Sequence, residues 1–223
     1  MKEIVARELA SRIRDGEIIG VGTGTTVDAA LQEIGKRIKN ENLRVQVVPT
    51  SLESSWRCHE IGLSTLYPGY RGKLSWGFDG ADEVDGNLWL IKGKGGALLK
   101  EKILAARCER FVVIVDDSKL VRKLGERCPI PVEVVPEALW VVEQELQRFG
   151  ALEAKLRPAT GKHGPIITEA GNLIIDARFA EITPELALAI KSVVGVVEHG
   201  VFMDLADEVI VGSAAGIRSI FPS

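Results

Sequence analysis

The sequence predicts an α/β protein: a parallel sheet covered by helices on both faces, followed by a smaller α+β sandwich. Three observations carry that expectation. Short apolar runs alternate with segments of helical periodicity through the first half of the chain. Pro129, Pro131 and Pro136 then punctuate "KLGERCPIPVEVVP" and mark a boundary. Beyond it the periodicities follow the order βαββαβ, and a last apolar run, "ADEVIVGS", is expected to rejoin the first sheet. The expected domains are residues 1–128 with 203–223, and residues 129–202 between them.

The first helix is read from Val5, Leu9 and Ile13, which recur at helical spacing with charges between them. "EIIGVGTGTT" is a strand running into a glycine turn. Val27, Leu31, Ile34 and Ile38 share one face of the next helix. "RVQVVPT" (44–50) is a second strand, 51–61 a further helix, and "LSWGF" (74–78), "LWLIK" (88–92) and "FVVIV" (111–115) are strands. A helix opens near Gly96 and carries "ALLKEKILAARC". In the second domain the expected order is strand 132–135, helix 137–149, strand 152–157, a turn at 169–172, strand 173–179, helix 184–192 and a strand near 196–202.

Composition narrows the function classes. The 223 residues carry a formal charge of −3, and no run of Lys or Arg forms a basic patch, which argues against nucleic acid as a partner. There is no apolar stretch of about eighteen residues to span a membrane, and the first residues lack the apolar core of a signal peptide. A cytoplasmic location is expected. Cys58, Cys108 and Cys128 are odd in number and lack metal spacing, so they are expected to be buried thiols.

The chemistry concentrates in four motifs. In "GVGTGTT" (20–26) a glycine turn between strand and helix lets backbone N–H groups converge on an anion, with hydroxyls from Thr23, Thr25 and Thr26. Thr25 stands where a dinucleotide fingerprint has its third glycine, and no Gly-Lys-Ser/Thr follows, so a single phosphate fits better than a dinucleotide. The competing reading is an ordinary turn with Thr25 as N-cap. "DGADEVDG" places Asp79 and Asp82 after a strand, at the edge where parallel sheets bind ligands. A calcium loop fails, because Ala81 and Lys92 fall where acids are required. Glu83 and Asp85 are expected to form a solvated acidic turn.

Lys92 opens "KGKGG", whose glycines permit close backbone approach, and Glu101 lies about a turn into the following helix. Acid, lysine and oxyanion donors together suit proton abstraction beside a carbonyl. "VDDSK" adds Lys119 at a further strand end. His59, His163 and His199 lack ligand spacing, so no metal is expected.

In order and spacing, "GVGTGTT", "DGADEVD", "IKGKGGALLKEKI", "DDSK" and "VVEHGVF" resemble the A type of ribose-5-phosphate isomerase, over essentially the whole chain. The resemblance implies a Rossmann-like domain with an inserted smaller α+β (ferredoxin-like) domain. It also implies cofactor-free interconversion of two pentose phosphates, and a homodimer or homotetramer. Carried over by motif, Glu101 matches the catalytic base, with Asp79 and Lys92 as catalytic partners. The substrate-binding set is Thr23, Gly24, Thr25, Thr26, Asp79, Gly80, Ala81, Asp82, Lys92, Gly93, Lys94, Gly95 and Lys119. Many members have glycine where this chain has Lys94. Lys119, the 23–26 turn and Lys94 all remain candidates for the phosphate. A non-catalytic sugar-phosphate sensor would keep the phosphate turn but would have no use for the Asp79, Lys92 and Glu101 set.

Overall fold

The computed structural model describes residues 2–222. In chain order the elements begin α1 (Lys2–Ser11), β1 (Ile18–Val21), α2 (Thr25–Glu41), β2 (Gln46–Pro49), α3 (Leu52–Glu60) and β3 (Ser64–Thr65). Then come β4 (Trp76–Asp79), β5 (Glu83–Val84), β6 (Leu90–Ile91), α4 (Leu98–Arg107), β7 (Phe111–Asp116), β8 (Ile130–Val134) and α5 (Leu139–Arg148). The chain ends with β9 (Glu153–Leu156), β10 (Leu173–Arg178), α6 (Pro184–Ser192), β11 (Val196–His199), β12 (Val201–Phe202), β13 (Glu208–Ser213) and β14 (Gly216–Ile220). Two compact units divide the chain. The first holds the residues up to Ala81, Lys100–Leu120, and those from Asp204 on; the second holds Asp82–Leu99 and Val121–Met203. Residues 129–202 lie wholly within the second unit, which also takes in 82–99, 121–128 and Met203.

The first unit is built on a seven-stranded sheet of order β14-β13-β7-β4-β1-β2-β3. It is parallel except for β14, which runs antiparallel on β13. "ADEVIVGS" thus rejoins this sheet as β13, beside β7. The edge strand β14 was not legible, because "GIRSI" is largely exposed and has no apolar run. Alternation along β1 sends Ile19 and Val21 into a core with Val5, Leu9 and Ile13 of α1 and its flank and Leu31 and Ile34 of α2. Gly20 faces the other way. It pairs in register with Gly77 of β4. A Cβ added at Gly20 would lie 2.6 Å from Leu104, and one at Gly77 2.5 Å from the Cys108 sulfur. Two adjacent glycines therefore let α4 lie close against the sheet.

In the second unit the expected βαββαβ order is present as β8-α5-β9-β10-α6-β11. Its sheet runs β11-β8-β10-β9, antiparallel throughout, which is the ferredoxin-like arrangement. Ile130, Val132, Val134, Ile175 and Ala177 point to the core with Val142, Leu146 and Ile190 of the helices. Pro131, Glu133, Ile174 and Asp176 alternate onto the opposite face.

Four expectations are corrected. "LWLIK" does not join the parallel sheet: β6 pairs antiparallel with β5 and β12 in a separate three-stranded sheet. A parallel pairing needs a crossover of a dozen or more residues, and the turn before β6 is too short for one. The Asp85 carboxylate closes that turn by accepting from the Asn87 and Trp89 amides, each at 2.9 Å. The strand expected near 196–202 is two strands serving two sheets, broken at Gly200.

Glu83 is not solvated. It is fully buried and accepts the amides of Gly125, Arg127 and Cys128, each at 2.6 Å. Hydrogen bonds to a charged group contribute about 1.5–3 kcal/mol each, so this carboxylate organises the 121–128 loop. Of the cysteines only Cys58 is buried, with Cys108 and Cys128 half-buried. Burial pushes the Cys58 and Cys108 thiols up to about 12, which keeps both uncharged at neutral pH.

Candidate active site

Because β1, β2, β4 and β7 are parallel, their carboxyl ends share one edge. That edge carries Gly22–Thr26, Thr50–Ser51, Asp79–Ala81 and Asp116–Lys119. Asp79 is fully buried, and its Oδ1 accepts the Gly80 amide at 2.7 Å and the Thr23 amide at 3.1 Å. The carboxylate occupies the space a side chain at position 22 would take: a Cβ on Gly22 would lie 2.0 Å from the Asp79 Cγ. The glycine of this turn thus makes room for the acid of the neighbouring strand. Neither residue alone would suggest that dependence.

Around Thr23 lies a hydroxyl cluster that the sequence did not single out. Thr23 Oγ1 is 2.7 Å from Thr50 Oγ1, 2.8 Å from Ser51 Oγ and 3.0 Å from Ser54 Oγ. Ser54 Oγ donates to the Gly22 carbonyl at 2.6 Å, and Ser51 caps α3 by accepting the Ser54 amide. The cluster anchors the turn from below. Thr25 is not the N-cap. The cap is Gly24, at φ +117°, with no side-chain capping bond, and α2 begins at Thr25. A helix start without a side-chain acceptor leaves its first amides for solvent or an anion. Lys2 adds a cation there, its Nζ donating to Thr25 Oγ1 at 2.6 Å. The signal for Lys2 was absent because a lysine in a first helix resembles any solvated charge.

Glu101 follows from the close packing of α4. The buried residues of that helix are Leu98, Glu101, Leu104 and Ala105, which fall on one face. Glu101 is 4% exposed and stands one turn before Leu104, the residue that covers Gly20. As the crossover between two parallel strands, α4 runs opposite to them, so its start lies toward the carboxyl edge. A carboxylate thus occupies a core-facing position of an otherwise apolar stripe, on the side of the sheet's ligand-binding edge. At the same edge Lys119 ends a 3-10 turn, Asp117–Lys119. Burial works to raise the Asp116 carboxyl, but the Ser118 hydroxyl and amide together hold it below its ordinary value.

In the second unit the loop after β6 gathers the remaining residues. Lys92 is 3% exposed, with its ammonium 5.7 Å from the centre of the Phe202 ring, a cation–π contact. Its amide donates to the Gly200 carbonyl at 2.8 Å, and a Cβ on Gly200 would lie 2.1 Å from the Lys92 oxygen. That approach explains why the residue between the two strands is glycine. Asp82 accepts the Lys94 amide at 3.0 Å. The positive φ angles fall on Gly93 and Gly96, and Lys94 is not among the residues at positive φ. The lysine in the glycine run is therefore accommodated without left-handed strain, its side chain exposed.

The predicted residues thus assemble as two groups. Thr23, Gly24, Thr25, Thr26, Asp79, Gly80, Ala81, Glu101 and Lys119 belong to the first unit, and Asp82, Lys92, Gly93, Lys94 and Gly95 to the second. Among the described residues no group of three His, Cys, Asp or Glu side chains is placed to hold a metal ion. No helix there is long and apolar enough to cross a membrane.

A parallel sheet with a glycine turn, a buried aspartate and a core-facing glutamate at its carboxyl edge defines an α/β enzyme for a small anionic substrate. Comparison with known proteins narrows the class. Residues 46–216 match the family model for ribose 5-phosphate isomerase A (phosphoriboisomerase A). Ribose-5-phosphate isomerase A of Pyrococcus abyssi is 43% identical, over 99% of this chain and 97% of the relative. The enzyme of that name from Methanocaldococcus jannaschii is 44% identical over the same shares. A solved structure of the latter superposes with a TM-score of 0.94 at 42% identity, covering 99% of this chain and 97% of that one. Another, a D-ribose-5-phosphate isomerase in complex with phospho-erythronic acid, gives 0.95 at 38% identity with the same coverage. The chain belongs to the ribose 5-phosphate isomerase A family.

Proposed function

We infer that this chain interconverts D-ribose 5-phosphate and D-ribulose 5-phosphate through an enediolate. Glu101 carries the reading, as a buried carboxylate at a core-facing position of α4 on the side of the sheet's carboxyl edge. Asp79 assists opening of the furanose ring by exchanging a proton with the ring oxygen or the anomeric hydroxyl. Glu101 then takes the proton from C2 of the open aldose, and the C–H electrons form the C1–C2 double bond. Negative charge develops on O1, where the Lys92 ammonium and the Gly95 amide of the 93–96 loop stabilise it. The hydroxyl proton passes from O2 to O1, a step Asp82 can serve, and Glu101 returns its proton to C1. No redox cofactor enters, since the electrons move within one substrate. In the bound relative, phospho-erythronic acid pairs a phosphate with a carboxylate. A carboxylate offers a planar pair of oxygens of the kind an enediolate presents.

The phosphate is assigned to the 23–26 turn. The uncapped start of α2, the Thr25 and Thr26 hydroxyls and the Lys2 ammonium support that choice, with Lys119 at the same edge. Charge-assisted hydrogen bonds contribute about 1.5–3 kcal/mol each. Free ribose should accordingly bind at least about a hundredfold more weakly than ribose 5-phosphate, each ~1.4 kcal/mol being tenfold. Calorimetry on both sugars, beside a coupled assay for ribulose 5-phosphate, tests this. No turnover of ribose 5-phosphate would overturn the function, and equal affinities would overturn the phosphate site.

A cytoplasmic homodimer or homotetramer completes the proposal. Trp140 is 70% exposed and Leu188 71%, large apolar surface of the kind that assembly covers. Light scattering at micromolar concentration should report at least twice the 24.2 kDa chain mass; a clean monomer refutes assembly.

A further inference from the structure

The loop that follows Lys92 lies on the helix-free face of the ferredoxin-like sheet. A Cβ on Gly93 would meet Pro131 of β8 at 3.4 Å, and one on Gly96 would meet Ile166 at 3.4 Å and Ile174 of β10 at 3.6 Å. From the end of β9, Arg157 reaches the same loop. Its Nη1 donates to the Gly93 carbonyl at 2.8 Å and to the Lys94 carbonyl at 3.1 Å. The rest of the guanidinium is clamped by Asp176 of β10, with Nε on Oδ2 at 2.8 Å and Nη2 on Oδ1. The Arg157 side chain is 13% exposed. These contacts join two adjacent strands of the inserted sheet to two consecutive peptides of the loop.

The consequence follows from peptide geometry. In a trans peptide the N–H points opposite to the C=O of the same unit. Drawing the Gly93 and Lys94 carbonyls toward Arg157 therefore turns the Lys94 and Gly95 amides the other way. The Lys94 amide meets the Asp82 carboxylate at 3.0 Å. The Gly95 amide makes no recorded bond among the described residues. Beside the loop lies a pocket of about 400 Å³, lined in part by Asp82, Lys94, Pro131, Arg157 and Asp176. Packing against Leu98, 2.8 Å from a Cβ on Gly93, and the Gly96 amide, which donates to the Gly93 carbonyl at 3.0 Å, hold the start of the loop. At the exposed residues Lys94 and Gly95 the guanidinium bonds add the hold on the peptide planes.

We propose that Arg157 is a positioning residue for the isomerisation, fixing the 93–95 peptides so that the Gly95 amide, and the Asp82 carboxylate held by the Lys94 amide, meet the developing enediolate. It does not touch substrate, and Asp176 acts through it. The proposal rests on the isomerase reading above and deepens it: the inserted unit is the template for the oxyanion loop.

The test compares Arg157→Met, Arg157→Lys and Asp176→Asn in the full chain. For each variant kcat and KM for ribose 5-phosphate are measured, with calorimetric affinity for 4-phosphoerythronate and the amide resonances of Lys94 and Gly95. Misplacing a catalytic group by about 1 Å can cost a hundredfold, so Arg157→Met should lower kcat by about tenfold to a hundredfold, with KM little changed. Affinity for 4-phosphoerythronate should fall and both amide resonances should move. Arg157→Lys, which can still donate to both carbonyls, should recover part of the loss. Asp176→Asn should show a smaller loss in the same direction.

Wild-type kcat in Arg157→Met overturns the proposal. So does a loss that lysine does not relieve and that leaves the Lys94 and Gly95 resonances in place. Should Arg157→Met fail to fold, unchanged kcat in both Arg157→Lys and Asp176→Asn overturns it. An inactive wild type, or an Arg157-independent failure of Glu101→Gln to reduce turnover, would fault the isomerase reading instead. The amide shifts report on the loop in either case.

Discussion

Glu101→Gln should lower turnover of ribose 5-phosphate by about 10²–10⁴-fold, the usual contribution of a positioned general base, while substrate still binds. Moving a proton from C2 to C1 needs one base that takes it from one carbon and returns it to the neighbour. A carboxylate does so with little motion, since its oxygens reach adjacent carbons in turn. Glutamine preserves the size of the side chain and its helix propensity but cannot accept the proton. Glu101 lies on the buried stripe with Leu98 and Leu104, so the neutral amide fits the same place and the fold should persist. Exchange of the C2 hydrogen, followed by NMR in deuterated water, should fall in parallel with turnover. Retention of more than about a tenth of wild-type turnover lies well above that range. The base would then have to be sought at Asp79 or Asp82.

Lys92→Met is expected to cost about 10²–10³-fold in kcat, the magnitude for removing one preorganised oxyanion donor. The lysine is 3% exposed, and its ammonium stands 5.7 Å from the Phe202 ring centre. A preorganised ammonium beside the developing enediolate stabilises its charge without reorganisation at the moment of reaction. Methionine keeps the apolar stem and a favourable contact with the aromatic ring. Circular dichroism should therefore report an intact fold, and the phosphate-directed part of binding should survive. A variant within tenfold of wild-type kcat would assign the oxyanion to the loop amides alone.

The two variants divide the chemistry as the sequence divides the residues. Glu101 sits on a helix of the parallel-sheet unit from Lys100 on, and Lys92 on a loop of the other unit. Yet both fall within one block of the chain, "DGADEVDGNLWLIKGKGGALLKE". The block was legible because its residues are chemically conspicuous: strand-end acids, a lysine among glycines, and a glutamate early in a helix. Within the same block Glu83 was misread as a solvated acid. Nothing local distinguishes it from Asp85, and its three amide donors arrive from Gly125, Arg127 and Cys128, more than forty residues away.

By itself the sequence determined the alternation that makes a parallel sheet, the switch to βαββαβ after the prolines, the glycine turn, and the acid, lysine and glutamate proposed for the site. These are local properties of periodicity, backbone freedom and side-chain chemistry, and they can be read over a few residues. Only the tertiary structure decided that Gly22 is small because Asp79 fills its place, and that Gly20 and Gly77 are small because α4 lies on them. It alone paired Lys2 with Thr25, gathered the Thr23, Thr50, Ser51 and Ser54 hydroxyls, and brought Arg157 to the carbonyls of Gly93 and Lys94. Each of these is a contact between residues distant in the chain, and strand register and helix crossing set them through close packing, for which no short stretch of sequence carries a signature.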